Sequence, residues 1–259
     1  MTDTPRAYRA ICFDLDGTLL PMDLDAFMRR YFEAVYDFVA ARGLDAGAFL
    51  DALKAGTRVM LTHDDGRTNA EAYWETFRQL MGESTDVDWT ALMTAFYTGP
   101  FTELGAAVTP DPDAARALAT LKEKGYPLVL TTMPMFPPEA VQARLAWAGI
   151  DPALFDRMTT YDNSTSVKPK GTYYAENLEA LGVQGEEVLM VGNNTVEDLA
   201  FTELGADAYL VTDWLLDPTG GFDLEAVRHG SMADFAQWAQ ELPACERPAT
   251  AIEAGAVGR

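Results

Sequence analysis

The run Tyr8-Arg9-Ala10-Ile11-Cys12-Phe13-Asp14-Leu15-Asp16-Gly17-Thr18 decides how the rest of the chain is read. Tyr8 to Phe13 is a short block of strand-compatible residues that ends at Asp14. Side chains alternate in extended chain, so Asp14 and Asp16 leave the strand end on one side. Gly17 allows a sharp turn that keeps both carboxylates at the rim. In an open α/β sheet the ligand crevice lies beyond the carboxyl ends of the strands. Two carboxylates set there repel, and each needs a cation, a proton or a donor close by. A solvated acidic turn is a common reading of such a pair. The whole string directly after an apolar strand is far rarer.

Outward from this run the pattern becomes helical. Leu24, Phe27, Met28, Tyr31, Phe32, Val35 and Val39 recur at spacings of three and four, and Gly43 stops them. Thr68 and Glu71 have capping-box spacing, opening a helix that buries Tyr73, Phe77 and Leu80 and ends at Gly82. Another runs from about Asp88 through Trp89, Leu92, Met93 and Phe96 to Gly99-Pro100. No strand signal interrupts residues 24 to 99, which read as an all-helical block.

After Pro110, strand and helix alternate. Helices are expected over Asp111–Lys124, from Pro137-Pro138 to Gly149, over Thr172–Leu181, and from a Thr195 cap to Leu204. Strands are expected at Pro127–Leu130, Val188–Val191 and Ala208–Val211. This order predicts an α/β fold with a parallel sheet and right-handed crossovers, into which the helical block is inserted. The expected core spans residues 1–20 plus 106–246, the insertion residues 21–105, and residues 247–259 read as a loose tail.

Three further motifs follow the first. Leu128-Val129-Leu130 runs into Thr131-Thr132, Lys168-Pro169 precedes a helix, and Val191 leads into Gly192-Asn193-Asn194-Thr195-Val196-Glu197-Asp198. Singly each has a bland reading: a strand end, a surface turn, an early-helix acid favoured by the dipole. Their order is what carries weight. The set resembles the haloacid dehalogenase superfamily, whose first motif is DxDGT or DxDxT. The resemblance covers about residues 6–20 and 106–213, and it implies a Rossmann-like parallel sheet core with a helical cap of the C1 type.

By that resemblance Asp14 is the nucleophile that forms an aspartyl-phosphate, and Asp16 the general acid and then base. Thr131 and the Thr132 amide bind phosphoryl oxygens, and Lys168 offsets charge there. Mg²⁺ is held by Asp14, the Asp16 carbonyl and the fourth motif. Asn193 departs from the family's usual Asp and removes one negative charge from the metal site. Two registers stand open: Asn193 as ligand with Asp198 behind it, which the Gly192-Asn193 alignment favours, or Glu197-Asp198 as the acidic pair. Met133 replaces the frequent Asn after the second-motif Thr.

The chain has 259 residues with 19 basic and 40 acidic side chains, a net charge of −21. Such a balance argues against nucleic acid and an anionic membrane surface as partners. No apolar stretch reaches the roughly 20 residues that span a bilayer, and Met1 to Arg9 is polar. Cys12 and Cys245, with Cys12 in an apolar run, fit a reducing, cytoplasmic setting. The loop His63-Asp64-Asp65-Gly66-Arg67 could offer His63 or Arg67 to a substrate, although a plain turn is the stronger reading. His229 gets no role. Gly-rich nucleotide, P-loop, HExxH and GxSxG strings are absent.

The expectation is therefore a Mg²⁺-dependent phosphatase acting on a small phosphomonoester. Asp16 matters to it, because the dehalogenase branch usually lacks a second acid there. Alternatives are a phosphomutase using the same aspartyl-phosphate, or a catalytically weak member that binds a ligand or protein. Substrate identity and oligomeric state stay open.

Overall fold

Ile11 and Phe13 point one way from the first strand and Ala10 and Cys12 the other, and all four are fully buried. A strand buried on both faces belongs inside a parallel sheet covered on both sides by helices. The computed structural model, which describes residues 6–82 and 87–250, has that sheet. Its strands are β1 (Ala10–Phe13), β2 (Leu128–Leu130), β3 (Arg157–Met158), β4 (Val188–Gly192), β5 (Asp207–Val211) and β6 (Arg228–Gly230). They lie in the order β3-β2-β1-β4-β5-β6, and every pair is parallel.

Between β1 and β2 the chain makes α1 (Leu24–Ala40), α2 (Ala46–Thr62), α3 (Asn69–Met81) and α4 (Trp89–Tyr97). Four more helices accompany the sheet: α5 (Pro112–Glu123), α6 (Pro138–Trp147), α7 (Gly171–Leu181) and α8 (Met232–Ala239). Phe13, Leu130 and Val191 pack with Leu118 of α5 and Phe235 of α8. Cys12, Val129 and Met190 pack on the other face with Tyr173 and Tyr174 of α7 and with Phe201. Aspartates start many of these helices. Asp23, Asp45 and Asp88 each accept a bond from a first-turn backbone N–H at 2.9–3.0 Å, where a negative charge also meets the positive end of the helix dipole.

The inserted helices form an aromatic core of their own. Phe49, Phe77 and Trp89 meet at centroid distances of 5.0–5.9 Å, and Tyr31 lies against Phe96 and Phe101. Gly56 lets α2 lie close on α3, since a Cβ there would stand 2.5 Å from the Tyr73 ring. The start of α3 is bonded directly to the sheet domain. Asn69 N–H donates to the Ser164 carbonyl and Ala70 N–H to that of Tyr161, both at 2.8 Å. The Asn69 side-chain amide donates to the carbonyls of Pro134 and Ser166, both at 3.0 Å.

Several local expectations change. The first strand begins at Ala10 rather than Tyr8. Leu80, expected inside, is 60% exposed. The helix expected from a Thr195 cap is a 3-10 segment, Leu199–Leu204, and the Thr195 hydroxyl instead donates to Asp217 at 2.9 Å. Helix α2, strands β3 and β6, and helix α8 had no reading of their own. The tail expected to be loose from residue 247 begins docked, because Ala249 is buried and its N–H donates to the Arg9 carbonyl at 2.9 Å. Residues 251–259 of that tail lie outside the described residues, as do residues 1–5 and 83–86.

Candidate active site

Three strand ends create the site. The N–H of Asp14, one residue past β1, donates to the Val191 carbonyl at 2.9 Å, and Thr131 N–H, one residue past β2, donates to that of Phe13 at 2.7 Å. These bonds extend the ladder to the sheet's carboxyl edge and hold Asp14 between the ends of β2 and β4. The strand order reverses direction at β1 and β4, the place where open α/β sheets leave a crevice.

Lys168 is 2% exposed and reaches into this edge. Its Nζ lies 2.7 Å from Asp14 Oδ1 and 2.6 Å from Asp198 Oδ1. Burial raises the Asp14 carboxyl to about 7, helped by Asp198 and Asp16 and opposed by Lys168. Burial alone would lower Lys168, but the two carboxylates outweigh it and hold the ammonium well above its ordinary value. Burial also raises the Glu197 carboxyl, with Lys168 opposing and Asp198 adding to the rise. One partner removed would leave a buried charge uncompensated, a loss of roughly 3–5 kcal/mol.

Asp198 has no oxygen to spare. Its Oδ2 accepts the backbone N–H groups of Asn193 and Asn194, both at 2.9 Å, while Oδ1 holds Lys168. Of the two registers left open for the metal ligands, this is the arrangement of the first, with Asp198 behind the Asn193 loop. Gly192 is needed for this, since a Cβ there would stand 2.2 Å from the Asp198 carboxylate. Asn193 gives its amide N–H to the Trp214 carbonyl at 2.6 Å. That leaves its Oδ1 toward Thr18, whose hydroxyl lies 3.2 Å from it and 3.4 Å from Asp14 Oδ2. Gly17, at φ +86°, turns the chain beside Asn193, where any Cβ would collide with the amide at 2.2 Å.

The second motif sits one residue away from its expected register. Thr131, expected to bind phosphoryl oxygens, is fully buried, and its hydroxyl turns to the Phe13 carbonyl at 3.2 Å and to Met190 Sδ at 3.3 Å. Val129 and Thr131 are two apart and share the α7 face, which takes the Thr131 side chain away from the crevice. Thr132 lines the crevice, and its buried hydroxyl has no partner.

Asp16 meets a residue that no motif announced. Its Oδ2 accepts from Arg144 Nη1 on α6, while Asp16 Oδ1 and Arg144 Nη2 are both buried and without partners. Arg144 is 1% exposed and its guanidinium lies 4.6 Å over the Phe136 ring. The signal was present: Arg144 stands on the helix face that buries Ala140, Val141 and Leu145.

A cavity of about 310 Å³ opens over these groups, walled by residues of the inserted helices as well as the sheet edge. Neither His63 nor Arg67 reaches it. His63 Nε2 donates to Asn69 Oδ1 at 2.7 Å, and Arg67 pairs with Asp65 and Glu75. Among the described residues no helix is long and apolar enough to cross a membrane.

Known proteins resemble this chain at both levels. A ribulose-1,5-bisphosphate 5-phosphatase from Halopiger xanaduensis is 26% identical over 220 residues, 81% of this chain and 85% of the relative. A glyceraldehyde 3-phosphate phosphatase from Methanothermobacter thermautotrophicus is 26% identical over 211 residues, 81% of this chain and 88% of the relative. Among solved structures, a HAD phosphatase from Thermococcus onnurineus superposes with a TM-score of 0.55 at 20% identity, covering 90% of this chain and 99% of that one. A defluorinating L-2-haloacid dehalogenase superposes equally, with a TM-score of 0.55 at 22% identity over 92% and 98% of the two chains. At those identities the likeness is one of fold. The haloacid dehalogenase-like hydrolase model matches residues 8–203, from β1 through the loop of Asn193 and Asp198. The chain belongs to that family of hydrolases.

Proposed function

We propose that the chain is a Mg²⁺-dependent phosphomonoesterase that works through an aspartyl-phosphate on Asp14. The observation that carries this reading is the buried Lys168, bonded at once to Asp14 and Asp198 beneath a covered cavity. Two phosphatase relatives at 26% identity support it. Two free cysteines, one buried, suit the reducing cytoplasm.

The donor set suits a hard cation. Asp14 Oδ2 and Asn193 Oδ1 converge on one Thr18 hydroxyl, and with the Asp16 carbonyl they make an all-oxygen set. Among the described residues no three His, Cys, Asp or Glu side chains cluster as a metal site, so an amide and a backbone oxygen complete the set. When bound there, Mg²⁺ supplies positive charge against the phosphoryl oxygens.

In the first step an Asp14 oxygen attacks phosphorus, the bond from phosphorus to the alcohol oxygen breaks, and Asp16 gives that oxygen a proton. In the second, water attacks phosphorus, its proton passes to Asp16, and the bond to Asp14 breaks to leave inorganic phosphate. Arg144 holds Asp16 by Oδ2, which leaves Oδ1 as the oxygen that carries the proton. Lys168 and the Thr132 hydroxyl face the charge that builds on the phosphoryl oxygens.

Phosphate release from phenyl phosphate, with Mg²⁺ and with EDTA, tests the reading. Asp14→Asn is expected to lower the rate at least about a thousandfold. A rate untouched by that substitution overturns the assignment of the nucleophile.

A further inference from the structure

Opposite the carboxylates, the cavity is walled by Tyr31, Phe32, Tyr73, Trp74, Tyr97 and Phe136. Part of the polar capacity of these walls is spent inside the wall. The Tyr31 and Tyr97 hydroxyls bond each other at 2.9 Å, and Trp74 Nε1 donates to the Tyr161 hydroxyl at 3.3 Å. The Thr57 hydroxyl donates to its own helix, to the Leu53 carbonyl at 2.9 Å. A polyol seated here would find only the Tyr73 hydroxyl and the one proton that each pair leaves over, so most of its hydroxyls would lose water without a return.

Charge points the same way. Among the described residues that line the cavity, Asp14, Asp16, Glu197 and Asp198 are acids and Arg144 is the single cation. Arg144 is already held by Asp16 through Nη1, so it offers one spare N–H, on Nη2, beside the reacting groups. Lys168 is likewise committed to Asp14 and Asp198 at the floor. A second phosphate or carboxylate beyond reach of the Arg144 N–H would lie against aromatic carbon, unpaired and out of water.

We propose that this cavity takes phosphomonoesters of an aromatic or compact apolar alcohol that carries no second anionic group. The six aromatic walls offer such an alcohol ring faces and edges to pack against. The proposal rests on the phosphatase reading and narrows it. It separates this chain from the two relatives, whose names specify a sugar bisphosphate and a triose phosphate.

The test has a turnover arm and a binding arm on the same Mg²⁺-supplemented protein. Phenyl phosphate and 1-naphthyl phosphate are expected to have kcat/KM at least about tenfold above glyceraldehyde 3-phosphate and ribulose 1,5-bisphosphate. Phenylphosphonate, which cannot be hydrolysed, is expected to bind at least about tenfold more tightly than phosphonoacetate, which carries a second anion. Met28→Lys, at a half-buried wall residue away from the reacting groups, is expected to shift the bisphosphate-to-phenyl ratio upward about tenfold. A wild-type preference for the bisphosphate or for phosphonoacetate, or a ratio unmoved by Met28→Lys, overturns the proposal. Binding that favours phenylphosphonate without turnover of any ester would retire the phosphatase reading and keep the apolar selectivity.

Discussion

Asn193 does two jobs with the two ends of one amide. Its oxygen faces Thr18 and Asp14, and its N–H₂ fastens the Trp214 carbonyl at 2.6 Å. Asn193→Asp adds a charge where a cation is expected and removes the donor, leaving two oxygens opposed. The variant is expected to bind Mg²⁺ more tightly and to be less stable without it, by about 1–3 kcal/mol. Melts in EDTA and in rising Mg²⁺ check both halves: the EDTA midpoint falls by several degrees, and the gain on adding Mg²⁺ exceeds that of the native protein. This residue was legible from its Gly192 neighbour. Arg144 was legible only as a charge on the buried face of α6, because nothing in a single helix says which distant carboxylate it will meet. Thr131 and Thr132 are adjacent and alike, and which of them faces the crevice depended on how far the strand ladder continues.

At the scale of elements, α2 was hard to read because the face it buries is built of small residues. Ala46, Ala52 and Gly56 share it with Phe49, Leu53 and Met60, and small residues weaken a periodic signal while allowing close packing. Gly56→Ala has two opposed effects. Helix propensity favours it by up to about 1 kcal/mol, while a Cβ 2.5 Å from the Tyr73 ring costs about 1–3 kcal/mol in a filled core. A net loss near 1 kcal/mol is expected, read as a melting point lower by about 2–4 °C. Helix α7 carries a second test in Glu176, whose Oε2 accepts both the N–H and the hydroxyl of Thr165 while buried Oε1 has no partner. Burial raises its carboxyl above the ordinary range, against Thr165 and Arg157. The folded state therefore prefers the protonated form. That stability is complete below the unfolded value, about 4.3, and is lost as pH rises through the folded one. Glu176→Gln is expected to raise the melting point at pH 7 and to leave it unchanged near pH 3.5, so equal gains at both would refute the linkage. The alternating half of the chain was readable because its strands are apolar on both faces. The short strands β3 and β6 hold few residues and left no pattern.

At the scale of the molecule, the inserted helices join the sheet domain through two chain crossings and through the start of α3. Asn69 is fully buried there, with four donor bonds from residues 69 and 70 to carbonyls of the sheet domain. Asn69→Ala is expected to speed deuterium uptake in the first turn of α3 and at Met135, with the far strands β5 and β6 unchanged. Uniform acceleration over the whole chain would mean that the residue serves general stability alone. A lid hung on two cords can swing clear of the box. Pinned at a third point, it is less free to do so, and Leu24 and Leu216, both exposed and both lining the cavity, leave greased carbon where it meets solvent.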